Sequence, residues 1–136
     1  MPCPYFEPQR VAPDPQHAGA RLPLFAEYEG LCHASGEALE TPSALRFRCC
    51  NHGYSSGCCD RFPVADVRSC LRYNVVKRTG ATLDILCVEE QLYAPLRWHS
   101  VQFAVDTGQM EPEVEDLCMR AQLLAFCRSY LERFRD

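Results

Sequence analysis

Signatures of the common enzyme classes are absent from this chain of 136 residues. There is no Gly-x-Ser-x-Gly turn, phosphate-binding loop, H-E-x-x-H pair or dinucleotide fingerprint, so no catalytic reading has a motif to rest on. Apolar runs fall well short of the roughly 20 residues that a membrane helix needs, and no membrane partner is expected. Positive charge is not in excess: the formal net charge is −4, which gives no reason to expect general nucleic-acid affinity. The amino terminus, MPCPYFEPQR, lacks a basic stretch followed by an apolar one, so a secretory signal is not expected. No internal repeat, low-complexity tract or linker interrupts the chain. Its length suits one domain with a real core, over residues 1–136.

What the chain has in quantity is cysteine, ten residues in all. In a reducing, cytoplasmic setting such thiols more often bind metal or do redox work than form disulfides, although a disulfide framework is the alternative for a secreted chain. Six of the ten stand in loops or at element ends: Cys3, Cys32, Cys49, Cys50, Cys58 and Cys59. Cys87, Cys118 and Cys127 fall within expected strand or helix and read as buried apolar residues. Cys70 is assigned to the end of a short helix, Ala65 to Leu71, and is ambiguous. The densest stretch is Arg46 to Pro63, RFRCCNHGYSSGCCDRFP, where two Cys-Cys pairs bracket a glycine-containing loop. Such a loop exposes backbone N–H groups that can donate to thiolate sulfur.

A tetrahedral or cluster site takes four ligands. Adjacent cysteines point apart on most backbones, so one member of each pair is the better choice. Cys50 leads into the loop and Cys59 lies further from Gly57; with Cys3 and Cys32 they form a four-thiolate set from four segments. Cys49, Cys58, His52 and His33 are the alternates. Zinc usually takes C-x2–4-C knuckles, which this chain lacks, so a [4Fe–4S] cluster ranks above zinc. Tyr5, Phe6, Phe47, Tyr54 and Phe62 would shield such a centre. Arg46, Arg48 and Arg61 would balance its charge. Electron transfer or redox sensing, with a redox partner protein, follows from a cluster. A structural-zinc interaction module is one alternative, and a thiol enzyme using Cys with His52 or His99 is another.

The motifs CPxF at Cys3, YxGxC at Tyr28–Cys32, CNxGY at Cys50–Tyr54 and GxCxRFP at Gly57–Pro63 resemble those of small bacterial cysteine-motif proteins. The resemblance covers the first half well and the following region loosely. It implies single cysteines at the positions of Cys3, Cys32, Cys50 and Cys59, and it implies no activity.

For the fold, the pattern predicts an α+β chain with a small antiparallel three-stranded sheet and a C-terminal helix packed on it. The loop-rich, cysteine-containing half, 1–63, is expected to need its metal in order to fold, and 64–136 to hold the sheet and helix. Residues 1–24, rich in proline, are expected to run extended over the surface. Leu24 to Tyr28 reads as a turn or strand stopped by Gly30, and Ala44 to Cys50 as a short helix. Tyr73–Arg78 and Thr82–Glu89 flank Thr79-Gly80 as a hairpin. Trp98–Val105 alternates as a third strand, with Pro95 breaking the connection. Pro112 is placed in the first turn of a helix over 112–134, with Glu113, Glu115 and Asp116 at its start and arginines at its end.

Overall fold

A computed structural model describes residues 2–15, 22–54, 59–63 and 68–134. The chain is α+β, with two antiparallel sheets and a C-terminal helix. The first sheet is formed by β1 (Phe6–Val11), β2 (Tyr28–Cys32) and β3 (Leu39–Glu40), in that order. A short helix, α1 (Ser43–Leu45), continues as a wide π-helical turn, Arg46–Asn51. The second sheet has the order β4 (Cys70–Arg78), β5 (Thr82–Gln91), β6 (Ala94–Ala104), β7 (Met110–Glu111). The chain then enters α2 (Leu117–Arg133).

The expected hairpin is present: β4 and β5 pair antiparallel around Thr79-Gly80, where the Thr79 N–H donates to the Thr82 carbonyl. The third strand is also present, but the sheet has four strands rather than three. Pro95 does not interrupt β6; it sits inside the strand opposite Glu90, beside a bulge that leaves Leu96 unpaired. A bulge on a lightly paired strand is where a residue without an N–H is tolerated. The β5–β6 turn escapes sequence reading, because Leu92 and Tyr93 both adopt positive φ (48° and 70°) without glycine or asparagine. That is the backbone of a two-residue primed turn, whose twist matches the flanking strands.

The helix begins later than expected. Pro112, Glu113 and Glu115 precede it, and Asp116 is its cap, accepting from the Met119 N–H at 2.9 Å. An N-cap carboxylate satisfies one of the free amides of the first turn and favours starting there. Cys70 and Leu71 lie in β4, so the short helix read over 65–71 does not end there; residues 65–67 of it lie outside the described residues.

The proline-rich arm is the largest departure. Pro2 and Pro4 are fully buried, Phe6 is 1 % exposed, and β1 follows directly. Gly30 does not stop the next segment but lies within β2, where a Cβ would come within 2.0 Å of the Glu7 carbonyl oxygen. Glycine is required there by close backbone approach. One apolar cluster then joins Cys3, Phe6, Leu24 and Tyr28 to Leu71, Leu83, Ile85, Cys87, Val101 and Phe103, and to Met119, Leu123, Phe126 and Cys127 on α2. Cys87, Cys118 and Cys127 are buried, as the sequence suggests.

Candidate metal centre

The amino-terminal arm carries Cys3 onto the core. Its N–H donates to the Cys50 carbonyl at 3.1 Å, which sets the two cysteines' backbones side by side. Cys32 closes β2 directly opposite Phe6, and the next residue, His33, donates its N–H to the Tyr5 carbonyl at 2.9 Å. Cys50 lies on the π-helical turn, and Cys59 opens a turn closed by the Phe62 N–H on its carbonyl at 3.1 Å. Tyr5 and Phe62 meet edge-on at 5.6 Å and close one side.

These four segments surround one small cavity. It is lined by the four thiols Cys3, Cys32, Cys50 and Cys59, by Phe6, Phe62 and Ala34, and by Arg61, and leaves about 20 Å³ for the centre of a water molecule. Every cysteine described is a free thiol. Among the described residues no three His, Cys, Asp or Glu side chains stand close enough to grip a single ion. Burial, and then the neighbouring Cys3, Cys32, Cys59 and Cys49 thiols, push the Cys50 thiol well above its ordinary value. The Cys50 thiol therefore ionises more readily if positive charge arrives with it.

The alternates fall elsewhere. Cys49 is fully buried but does not line the cavity, and Cys58 lies outside the described residues. His33 is paired with Glu7 at 2.7 Å, and His52 is exposed with its ring against Phe47. His99 is bound to the buried Glu89 at 2.8 Å, so neither His52 nor His99 lines the cysteine cavity. The arginines divide differently from expectation. Arg46 is buried against Glu27 at 2.5 Å and reaches Asp14 at 3.2 Å, and Arg61 borders the cavity while its guanidinium donates to the Glu40 carbonyl at 3.2 Å. The Gly53 N–H, expected to face sulfur, is bonded to the Cys49 carbonyl at 3.0 Å.

No family model, curated protein or solved structure matches the chain. The site must therefore be read from its own residues.

Two side chains that build the site carry no motif. Asn51 is fully buried; its Oδ1 accepts from the Tyr28 N–H at 2.8 Å, while its Nδ2 donates to the Tyr28 and Arg46 carbonyls, each at 2.9 Å. It joins the turn that carries Cys50 to the strand that carries Cys32. Gln122 on α2 is also fully buried and reaches the backbone beside Cys3. A polar residue on the buried stripe of an amphipathic helix was the one available signal. Beyond the loop, Tyr54 hydrogen-bonds Glu90, which also receives the Cys70 thiol at 3.7 Å, and stacks on Tyr93 with ring centroids 4.0 Å apart.

Proposed function

We propose that the chain binds an iron–sulfur cluster of the [4Fe–4S] type through Cys3, Cys32, Cys50 and Cys59. The observation that carries this reading is the arrangement of those four thiols, from four separate segments, around one apolar cavity. A structural zinc ion would need its sulfurs about 2.3 Å from a single point. A cubane holds its irons at separate corners, so its thiolates reach it from separate directions, and four cysteines from four segments around one cavity supply such a set. The donor set fits chemically as well: all sulfur, flanked by Phe6 and Phe62.

When bound, such a cluster supplies one-electron chemistry at a potential set by burial, charge and hydrogen bonds to sulfur. The chain's own residues bring the thiols to one cavity from four segments and exclude water with Phe6 and Phe62. Low-potential electron transfer or redox sensing, with a protein redox partner in a reducing compartment, is the function that follows. No helix among the described residues is long and apolar enough to cross a membrane.

The test is purification without oxygen, with iron, sulfide, zinc and the visible spectrum measured on one sample. Stoichiometric iron and sulfide are expected. Cys59→Ala should abolish both, whereas Cys49→Ala should retain them, because Cys49 does not line the cavity. One zinc per chain with no iron or sulfide, from iron-replete cells, would replace the cluster with a structural-zinc module.

A further inference from the structure

The four cysteines come from the first half of the chain, yet the most distant ligand is fastened from the other end. Gln122, in the middle of α2, is 0 % exposed, with both N–H donors and its carbonyl oxygen hydrogen-bonded. Its Nε2 donates to the Cys3 carbonyl at 2.8 Å and to the Phe6 carbonyl at 2.7 Å, and its Oε1 accepts from the Tyr73 hydroxyl at 2.8 Å. The two carbonyls belong to the two arm residues that line the cysteine cavity. The same arm is held from β4, where the Leu71 N–H donates to the Pro2 carbonyl at 3.0 Å.

We infer that Gln122 is a positioning residue for the Cys3 thiol, and that through it the metal centre and the C-terminal helix form one cooperative unit. This rests on the cluster reading for the role of Cys3, but the position and protection of that thiol are testable without any cluster. An arm with three prolines in its first eight residues has few backbone N–H groups with which to join a sheet. Its carbonyls take donors from several elements: Pro2 from the Leu71 N–H and Tyr5 from the His33 N–H, while the Cys3 carbonyl accepts from the Phe6 N–H at 3.1 Å and from the Gln122 carboxamide, which also serves Phe6. A buried amide that is fully satisfied fixes one geometry, because any other leaves polar atoms without partners in a low dielectric. The Cys3 sulfur is thereby held at the cavity before a metal arrives, instead of being gathered in by it. Linkage then works both ways: whatever binds at the four thiols stabilises α2, and whatever loosens α2 releases Cys3.

The experiment follows alkylation of individual cysteines in the metal-free chain by mass spectrometry. In the unmodified protein Cys3 should react at least ten-fold more slowly than Cys59, and its protection should vanish at the same urea concentration as the helical signal. Gln122→Met, close in size but without donors, should raise the Cys3 rate at least five-fold while leaving that of Cys32 within two-fold. Tyr73→Phe, which removes only the bond to Oε1, should leave the Cys3 rate within two-fold. Gln122→Met should also lower iron and sulfide retention at equal helix content. If Cys3 in the unmodified chain reacts as fast as Cys59, or loses protection well before α2 unfolds, the inference is overturned. A folded Gln122→Met chain with unchanged Cys3 reactivity would overturn it equally. Should that variant not fold, the unmodified chain's urea series still decides. Absence of iron and sulfide, with Cys3 protected as described, would remove the cluster reading and leave the positioning role intact.

Discussion

Replacing Asn51 by leucine would test how the site is held together. The two side chains are similar in volume, so the change removes hydrogen bonds without opening a large cavity. Asn51 takes up both main-chain groups of Tyr28, as one further peptide unit would, and also the Arg46 carbonyl. Leucine leaves one N–H and two carbonyls buried without these partners. Each such group costs about 1–3 kcal/mol, with carbonyls toward the lower end, so a loss of about 3–6 kcal/mol is expected. A domain of this size has about 5–15 kcal/mol in total, so the variant should sit close to the edge of folding. Urea unfolding of the metal-free chain, followed by circular dichroism and extrapolated linearly, measures this directly. Asn51→Asp keeps the acceptor for Tyr28 but turns an anionic oxygen toward two carbonyls, and at neutral pH it should recover none of the loss. A loss below about 1 kcal/mol for Asn51→Leu would refute the reasoning, since exposed groups re-bonded to water cost no more than that.

Other outcomes can be stated briefly. Glu27→Ala leaves the Arg46 guanidinium buried with Asp14 and Glu29 as its remaining carboxylates, and should cost about 3 kcal/mol in the same urea assay. Leu92→Asn should stabilise the chain by about 0.5–1 kcal/mol, because an exposed leucine now occupies a left-handed turn position that asparagine adopts more readily; a lower thermal midpoint would contradict this. Alkali should destabilise the metal-free protein. Burial pushes the Cys87, Cys118 and Cys127 thiols up to about 12, against 9.0 for an exposed thiol. Below pH 9 both folded and unfolded states keep these protons, so the contribution is fully present. Between pH 9 and 12 the unfolded thiols ionise first and stability falls, by up to about 1.4 kcal/mol per pH unit for each thiol. A urea midpoint unchanged between pH 8 and pH 10 would show that these thiols are not buried as described.

The sequence by itself determined the elements whose signals are local. The hairpin at Thr79-Gly80 follows from β-rich runs around a turn dipeptide, the alternation of β6 from Val101 and Phe103, and α2 from acidic residues at its start and arginines at its end. The burial of Cys87, Cys118 and Cys127 follows from their place inside those elements. The choice of Cys3, Cys32, Cys50 and Cys59 used loop position and spacing, and among the described residues these cysteines line one cavity. Tertiary structure decided whatever depends on partners far along the chain. The proline-rich arm looks like a surface leader because its prolines cannot fill a ladder; it becomes core because Gln122 and Leu71 supply the donors it lacks. Gly30 looks like a stop and is a strand residue because β1 passes too close for any side chain. Arg46 looks like a counter-charge for thiolates and belongs to Glu27, while Asn51 and Gln122 carry no motif and are buried clamps. Periodicity and propensity record what a residue does within its own few turns of chain. A buried carboxamide is specified by backbone groups 23 and 119 residues away, and only the folded chain brings them within reach.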